Sequence, residues 1–235
     1  MLNIKFLLTN VNLLLMIKIR KGYEEVTGMK KTKLFLNEKH TKTAAKFLNI
    51  FCYLAMAVFV MCLVLAFMGR QSFALHTSTG DYERATYAES TQDVPSYGTS
   101  TGLTVGSTDH IRVMADEHDR IGLATHIALS LMYAVTVLPS LLGFWFLSRV
   151  FSNVSNGEFF IEQNARLILY YGLIRIFSAF LVPPIKMLIC IFNTRISLSV
   201  NNNLPDYIFQ GIAFLVAAYI IHYGINLQDE VDHTI

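Results

Sequence analysis

Charge is what this sequence has least of. Only 15% of its 235 residues are Asp, Glu, Lys or Arg, against about a quarter in an ordinary soluble domain. The deficit is uneven: four long blocks lack charge and the stretches between them hold it. That segregation marks a chain whose solvent is partly lipid. The net charge of +2 comes with no basic stripe interleaved with aromatics, which sets nucleic acid aside as a partner. Cysteine is scarce too. Cys52, Cys62 and Cys190 all fall inside apolar blocks and none lies in a polar loop, so they read as small apolar side chains. A disulfide or zinc framework is not indicated.

Motifs of common chemistries are also missing. There is no His-Glu-x-x-His, no Gly-x-Ser-x-Gly, no phosphate-binding Gly-x-x-x-x-Gly-Lys and no dinucleotide fingerprint. No Asp or Glu lies inside an apolar block, which excludes a paired-Asp protease within the bilayer. A Ser–His pair, such as Ser130 or Ser140 with His222, stays open without a local signature. No catalytic residue, cofactor or metal site is therefore expected, and the chain reads as a non-enzyme.

What is present is apolar length. The blocks are Phe47–Met68, Ile121–Leu147, Leu167–Phe192 and Tyr207–Leu227. A helix needs about 20 residues to cross the hydrocarbon, and all four reach it. Runs such as Ala55–Ala66 are apolar all round, unlike the alternation of a barrel strand. The expectation is an all-α integral membrane protein: an antiparallel bundle of four transmembrane helices over 47–68, 121–147, 167–192 and 207–227, with a long outer loop over 69–120.

Lys30, Lys31, Lys33, Lys39, Lys42 and Lys46 crowd the approach to the first helix. The positive-inside rule puts that basic segment, 29–46, in the cytoplasm. Four crossings return the C-terminus there, and Arg149 and Arg166 between the second and third helices agree. Residues 47–235 then form the membrane domain. The outer loop is rich in Ser, Thr, Gly and Tyr, and Thr101–Val113 has the composition of a small hairpin. Residues 1–28 are broken by Lys5, Asn10, Asn12 and Lys18. Met29 opens a Met-Lys-Lys-Thr-Lys start, so 1–28 is expected to be a mis-annotated or disordered extension.

Several polar side chains need an account. Arg175 and Lys186 sit in the third block, where a charge costs about 3 kcal/mol. With no acid inside a block, each is expected to snorkel, Arg175 toward Glu158, Glu162 or lipid phosphates and Lys186 to the outer surface. An anionic ligand or gating charge is the functional alternative. Pro183-Pro184 is expected to kink or end that helix, because neither residue donates a backbone hydrogen bond. Pro139 reads as a kink in the second helix. His126 and His222 would meet only if the second and fourth helices touch. In the outer loop, His110, Asp116, Glu117, His118 and Asp119 cluster, but their spacing matches no standard cation site.

Two stretches carry a resemblance. The turn Asn156-Gly157-Glu158-Phe159-Phe160-Ile161-Glu162-Gln163-Asn164 and the tail Gly224-Ile225-Asn226-Leu227-Gln228-Asp229-Glu230-Val231-Asp232-His233-Thr234-Ile235 resemble the bacterial membrane-protein family catalogued as domain of unknown function 2975. The matching positions are Gly157, Phe160, Asn164, Gly224, Leu227, Gln228, Glu230, Asp232, Thr234 and Ile235, and the likeness covers about residues 45–235; the long outer loop departs from it. The resemblance implies a multi-pass protein of the bacterial cell membrane with no established activity. Relatives are often encoded beside a small helix-turn-helix regulator. On the residues themselves, Gly157 suits a tight turn, Asn164 is placed to cap the third helix, and Glu230 or Asp232 is placed to pair with Arg149 or Arg166. The partners expected are the lipid bilayer and a cytoplasmic regulatory protein, with a homo-oligomer left open. The leading reading is a sensory or regulatory membrane module; a small transporter or channel subunit comes second and a membrane enzyme third.

Overall fold

The structure, a computed structural model, describes residues 38–232 except positions 93, 95, 99–101, 108 and 200–203. The expectations for residues 1–28 and Met29, and the matches at Thr234 and Ile235, lie outside those residues. The chain divides into two compact units at Thr41, and the second, Lys42 onward, is the subject below.

The described chain is mostly helical. The long helices are α1 (Glu38–Phe67), α3 (Leu123–Asn156), α4 (Glu162–Phe192) and α5 (Leu204–Asp232), with a single turn α2 (Tyr87–Ser90) between the first two. All four long helices are apolar and long enough to cross a membrane. The four blocks read from composition are thus these helices, each longer than its block. The extra turns come from polar ends, such as Ser148–Asn156, that hydropathy assigns to water but that hold helical hydrogen bonds.

Small residues set the helix spacing. Gly143 of α3 faces the ring of Tyr171, and Gly172 and Gly211 bring α4 and α5 backbone to backbone. Without a hydrophobic force between helices in lipid, such close approach supplies the dispersion contact that holds them. Helix α1 meets α3 through fewer contacts: Phe59 on Phe144, Ser130 Oγ donating to Ala66 O at 3.2 Å, and the His126 Nε2–Phe67 O contact at 3.1 Å.

A mixed sheet sits at one end of the helices, where composition suggested only a loop with a hairpin at 101–113. Its strands are β1 (Phe73–His76), β2 (Asp81–Ala85), β3 (His110–Met114) and β4 (Ile196–Ser199), in the order β2-β1-β3-β4. The hairpin is β1–β2, antiparallel, whereas β1 and β3 run parallel and β3 and β4 antiparallel. Strand β4 comes from the short link between α4 and α5. Phe73, Leu75, Ile111, Val113 and Ile196 form the inner face and pack on Ile121, Ala128, Leu129 and Met132 at the start of α3. Ile189 and Cys190 at the end of α4 complete that core. A sheet therefore caps the helix ends instead of a free loop.

The prolines do not end α4. It runs through Pro183 and Pro184 to Phe192, and α3 likewise runs through Pro139. The lost backbone bonds are tolerated because packing holds the flanking turns: beyond the proline pair, Ile189 and Cys190 are fixed in the sheet core.

Candidate functional site

Lys186 lies two residues past the proline pair, on the part of α4 that faces the sheet. Its Nζ is 2.5 Å from Asp109 Oδ2, and both side chains are almost fully buried, at 6% and 5% exposure. This overturns the expected snorkelling. Asp109 lies outside every apolar block, immediately before β3, and the fold carries it to a helix 77 residues away. A desolvated ammonium is costly alone; the carboxylate opposite makes its burial tolerable. The pair joins the sheet to a helix that also runs to the far end of the bundle.

Beside it is a second junction. Tyr87 of α2 stacks on His126, centroids 4.1 Å apart and 6° from parallel, and covers Gly69, where the chain leaves α1 with φ +77°. A Cβ at Gly69 would lie 2.8 Å from the Tyr87 ring, so glycine is required by space as well as by backbone angle. His126 is thus a tie between α1, α2 and α3 at the sheet end. His222 lies two residues from Gly224, which packs on Phe160 beyond the far end of α3, so the two histidines are not brought together.

The acidic stretch of the 69–120 segment forms a tight turn. Asp116 Oδ1 accepts from the backbone N–H groups of His118 and Arg120, at 3.0 and 2.7 Å. Asp119, with φ +56°, accepts from the N–H and hydroxyl of Ser78. Burial works to raise the Asp116 pKa, but those N–H groups and the nearby His118 and Arg195 charges outweigh it and hold the carboxyl below its usual range. Tyr97, donating to Asp119 O at 2.5 Å, is buried and pushed up to about 12, first by that burial and then by the charges of Asp119, Asp116 and Glu89. Asp116 and Asp119 hold this turn and its link to Ser78; among the described residues no group of three or more His, Cys, Asp or Glu is arranged to hold a metal.

Within the helices, Arg175 turns sideways to α5. Its Nη2 donates to Gln210 Oε1 at 3.0 Å, and its guanidinium lies over Tyr207 and Tyr171, at 5.1 and 5.8 Å. Glu158 and Glu162, the expected snorkelling partners, are not the groups it meets. Its Nε is buried without a partner.

The family-like turn is a built structure. Gly157 ends α3 in the left-handed region at φ +96°, and its N–H reaches the carbonyls of Asn153 and Val154. Asn164 does not cap α4; the cap position is Ile161. Instead Asn164, 1% exposed, donates to the carbonyls of Glu158 and Phe159 at 2.7 and 3.1 Å and accepts from Asn153 Nδ2 at 2.8 Å. Its amide fills the inside of the turn, where two backbone carbonyls and one side-chain amide converge. Truncation to Ala leaves these unpaired, and Asn164→Ala is expected to lower stability by about 2 kcal/mol in thermal melting of the detergent-solubilised protein; an unchanged melting point would assign the turn to its backbone alone.

Phe160 packs on Gly224, where a Cβ would come within 3.1 Å of its ring. Turn and tail helix therefore touch, as expected. Of the described contacts of the two arginines, Arg166 pairs with Glu162 at 2.7 Å within its own helix, and Arg149 lies over Trp145. Glu230 is exposed on α5, and the side chains of Gln228 and Asp232 lie outside the described ones. Composition missed Asp109, Gln210 and Tyr207. The signal for Asp109 was a Lys near the end of an apolar helix in a chain whose acids gather in the 69–120 segment. No family model, curated protein or solved structure matches the chain.

Proposed function

We propose that this is a multi-pass protein of the bacterial cell membrane that works as a non-enzymatic sensory or regulatory module. In this reading the sheet is outside the cell, and both ends of the membrane domain and the 157–164 turn are in the cytoplasm. The lysines before α1 support that orientation. The observation that carries the reading is the buried Lys186–Asp109 pair. It ties a folded outer sheet to α4, a single helix that continues to the turn at the opposite end. A change at the sheet that breaks the pair leaves a charge unpaired in the membrane, so the sheet and α4 have to respond together. The resemblance of turn and tail to the family of domain of unknown function 2975 adds a partner on the cytoplasmic side, and Phe160 on Gly224 supplies the surface where tail and turn meet.

Crosslinking and pull-down of the intact protein from its own membranes tests this. The expected result is a reproducible cytoplasmic partner that disappears when Gln228–Ile235 is removed. A partner unaffected by that truncation, or none at all, refutes the regulatory reading. One observation favours a second reading: the partnerless Nε of Arg175 between α4 and α5 suits a small anion on a transport path. Anion flux in liposomes that falls on Arg175→Gln would support transport instead.

A further inference from the structure

Helices α3 and α4 enclose an open groove of about 440 Å³. Its walls include Leu138, Leu142 and Phe146 of α3 and Tyr170, Phe177 and Ile185 of α4. From Tyr170 to Ile185 it runs about 22 Å along α4 at 1.5 Å per residue. A bilayer leaflet is about 15 Å of hydrocarbon, half the full core, so the groove is deep enough for one acyl chain along its length.

The end away from the sheet is aromatic. Phe146 and Tyr170 touch there, with ring centroids 5.8 Å apart, and Trp145 adjoins Phe146. Trp145 and Tyr170 are both nearly half exposed, as aromatics at a headgroup boundary are. One turn further, on the same helical stripes, come Arg149, three residues past Phe146, and Arg166, four residues before Tyr170. Both guanidinium groups are exposed, and Arg149 stands over the Trp145 ring at 5.7 Å. Arg166 holds Glu162 at 2.7 Å in an exposed pair, which is worth little and is readily exchanged. Along α4, Arg166 and Lys186 are separated by about 30 Å, the thickness of the hydrocarbon core. The two arginines thus stand at the height of lipid phosphates.

We infer that this groove is a binding site for one anionic phospholipid, its acyl chain between α3 and α4 and its phosphate on Arg149 and Arg166. Each part has its cause: the groove wall takes the chain, the aromatic pair takes the glycerol level, and the cations select for negative headgroup charge. The inference rests on residence in a membrane and not on any regulatory role.

Native mass spectrometry of the full-length protein, released from detergent with equimolar dioleoyl phosphatidylglycerol and dioleoyl phosphatidylcholine, reads it. Retention of phosphatidylglycerol over phosphatidylcholine by about fivefold or more is expected, the worth of one unopposed cation at a lipid surface. The double variant Arg149→Gln/Arg166→Gln falls to parity, and Glu162→Gln raises the preference. Leu138→Trp, which fills the groove on a lipid-facing surface, lowers retention of both lipids. Equal retention by the parent protein means annular contact only and overturns the site. So does a preference unchanged in the double arginine variant. A lipid-free dimer that Leu138→Trp splits would give the groove to a second copy of the chain and overturn it as well.

Discussion

Replacing Lys186 with Met will destabilise the sheet end of the protein by about 3 to 5 kcal/mol, the cost of leaving a buried partner charge uncompensated. Asp109, 5% exposed at its side chain, would keep a carboxylate with its ammonium gone. Asp109→Asn strands the ammonium instead and costs a similar amount. The decisive variant removes both: Asp109→Leu with Lys186→Met places apolar volume where the pair was, and such replacement is often neutral or stabilising. Thermal unfolding in detergent, with proteolysis of the 69–120 segment as a local readout, is therefore expected to show two damaged single variants and a double variant near the parent. Additive loss in the double would mean that the two side chains act independently and that the pair does not hold the junction.

That experiment also marks where reading the sequence stops. The four helices are legible because one physical quantity, apolar length, defines them without reference to anything else. The partner of Lys186 is not, because Asp109 sits in a polar stretch and reaches α4 only through the register of β3 with β1 and β4. The sheet itself escapes for the same reason. Its strands are four or five residues long, too short for a period, and β4 lies far from the other three in the chain. The proline pair shows the opposite limit: the local rule allows a kink or an end at 183–184, and the helix runs on to Phe192, with Ile189 and Cys190 in the core beyond the pair. Asn164 is a subtler case. Its type and place suit a cap, but the carbonyls of Glu158 and Phe159 offer the amide a buried partner set that an exposed cap cannot match. Gly157 is legible as a turn position because a glycine's freedom at positive φ has few other uses, whereas the packing of Gly224 on Phe160 shows only in the structure.

The second large effect belongs to the α4–α5 contact. Gly211→Leu is expected to cost about 3 kcal/mol, the upper range of overpacking in a close-packed interface. A Cβ there would fall on Ile176 Cγ1 and lie 2.9 Å from the carbonyl oxygen of Gly172. The relation is reciprocal: a Cβ at Gly172 would lie 2.9 Å from Gly211 O and 3.2 Å from Leu215 N. For a side chain at Gly211 the Gly172 carbonyl is a backbone obstacle, so no rotamer change removes it and the helices must separate. Separation also breaks the bond from Arg175 to Gln210, the residue next to Gly211. This leads to an ordering that thermal melting can check. Gly211→Ala should cost less than Gly211→Leu. Adding Ile176→Ala to either should recover only part of the loss, because the side-chain clash is relieved while the Gly172 carbonyl stays in place. Full recovery would show that the contact is limited by one flexible side chain and not by the approach of two backbones. No loss in any of these variants would mean that α5 is held elsewhere, through Phe214 against Tyr171 and Ala218 against Val150 and Ile168.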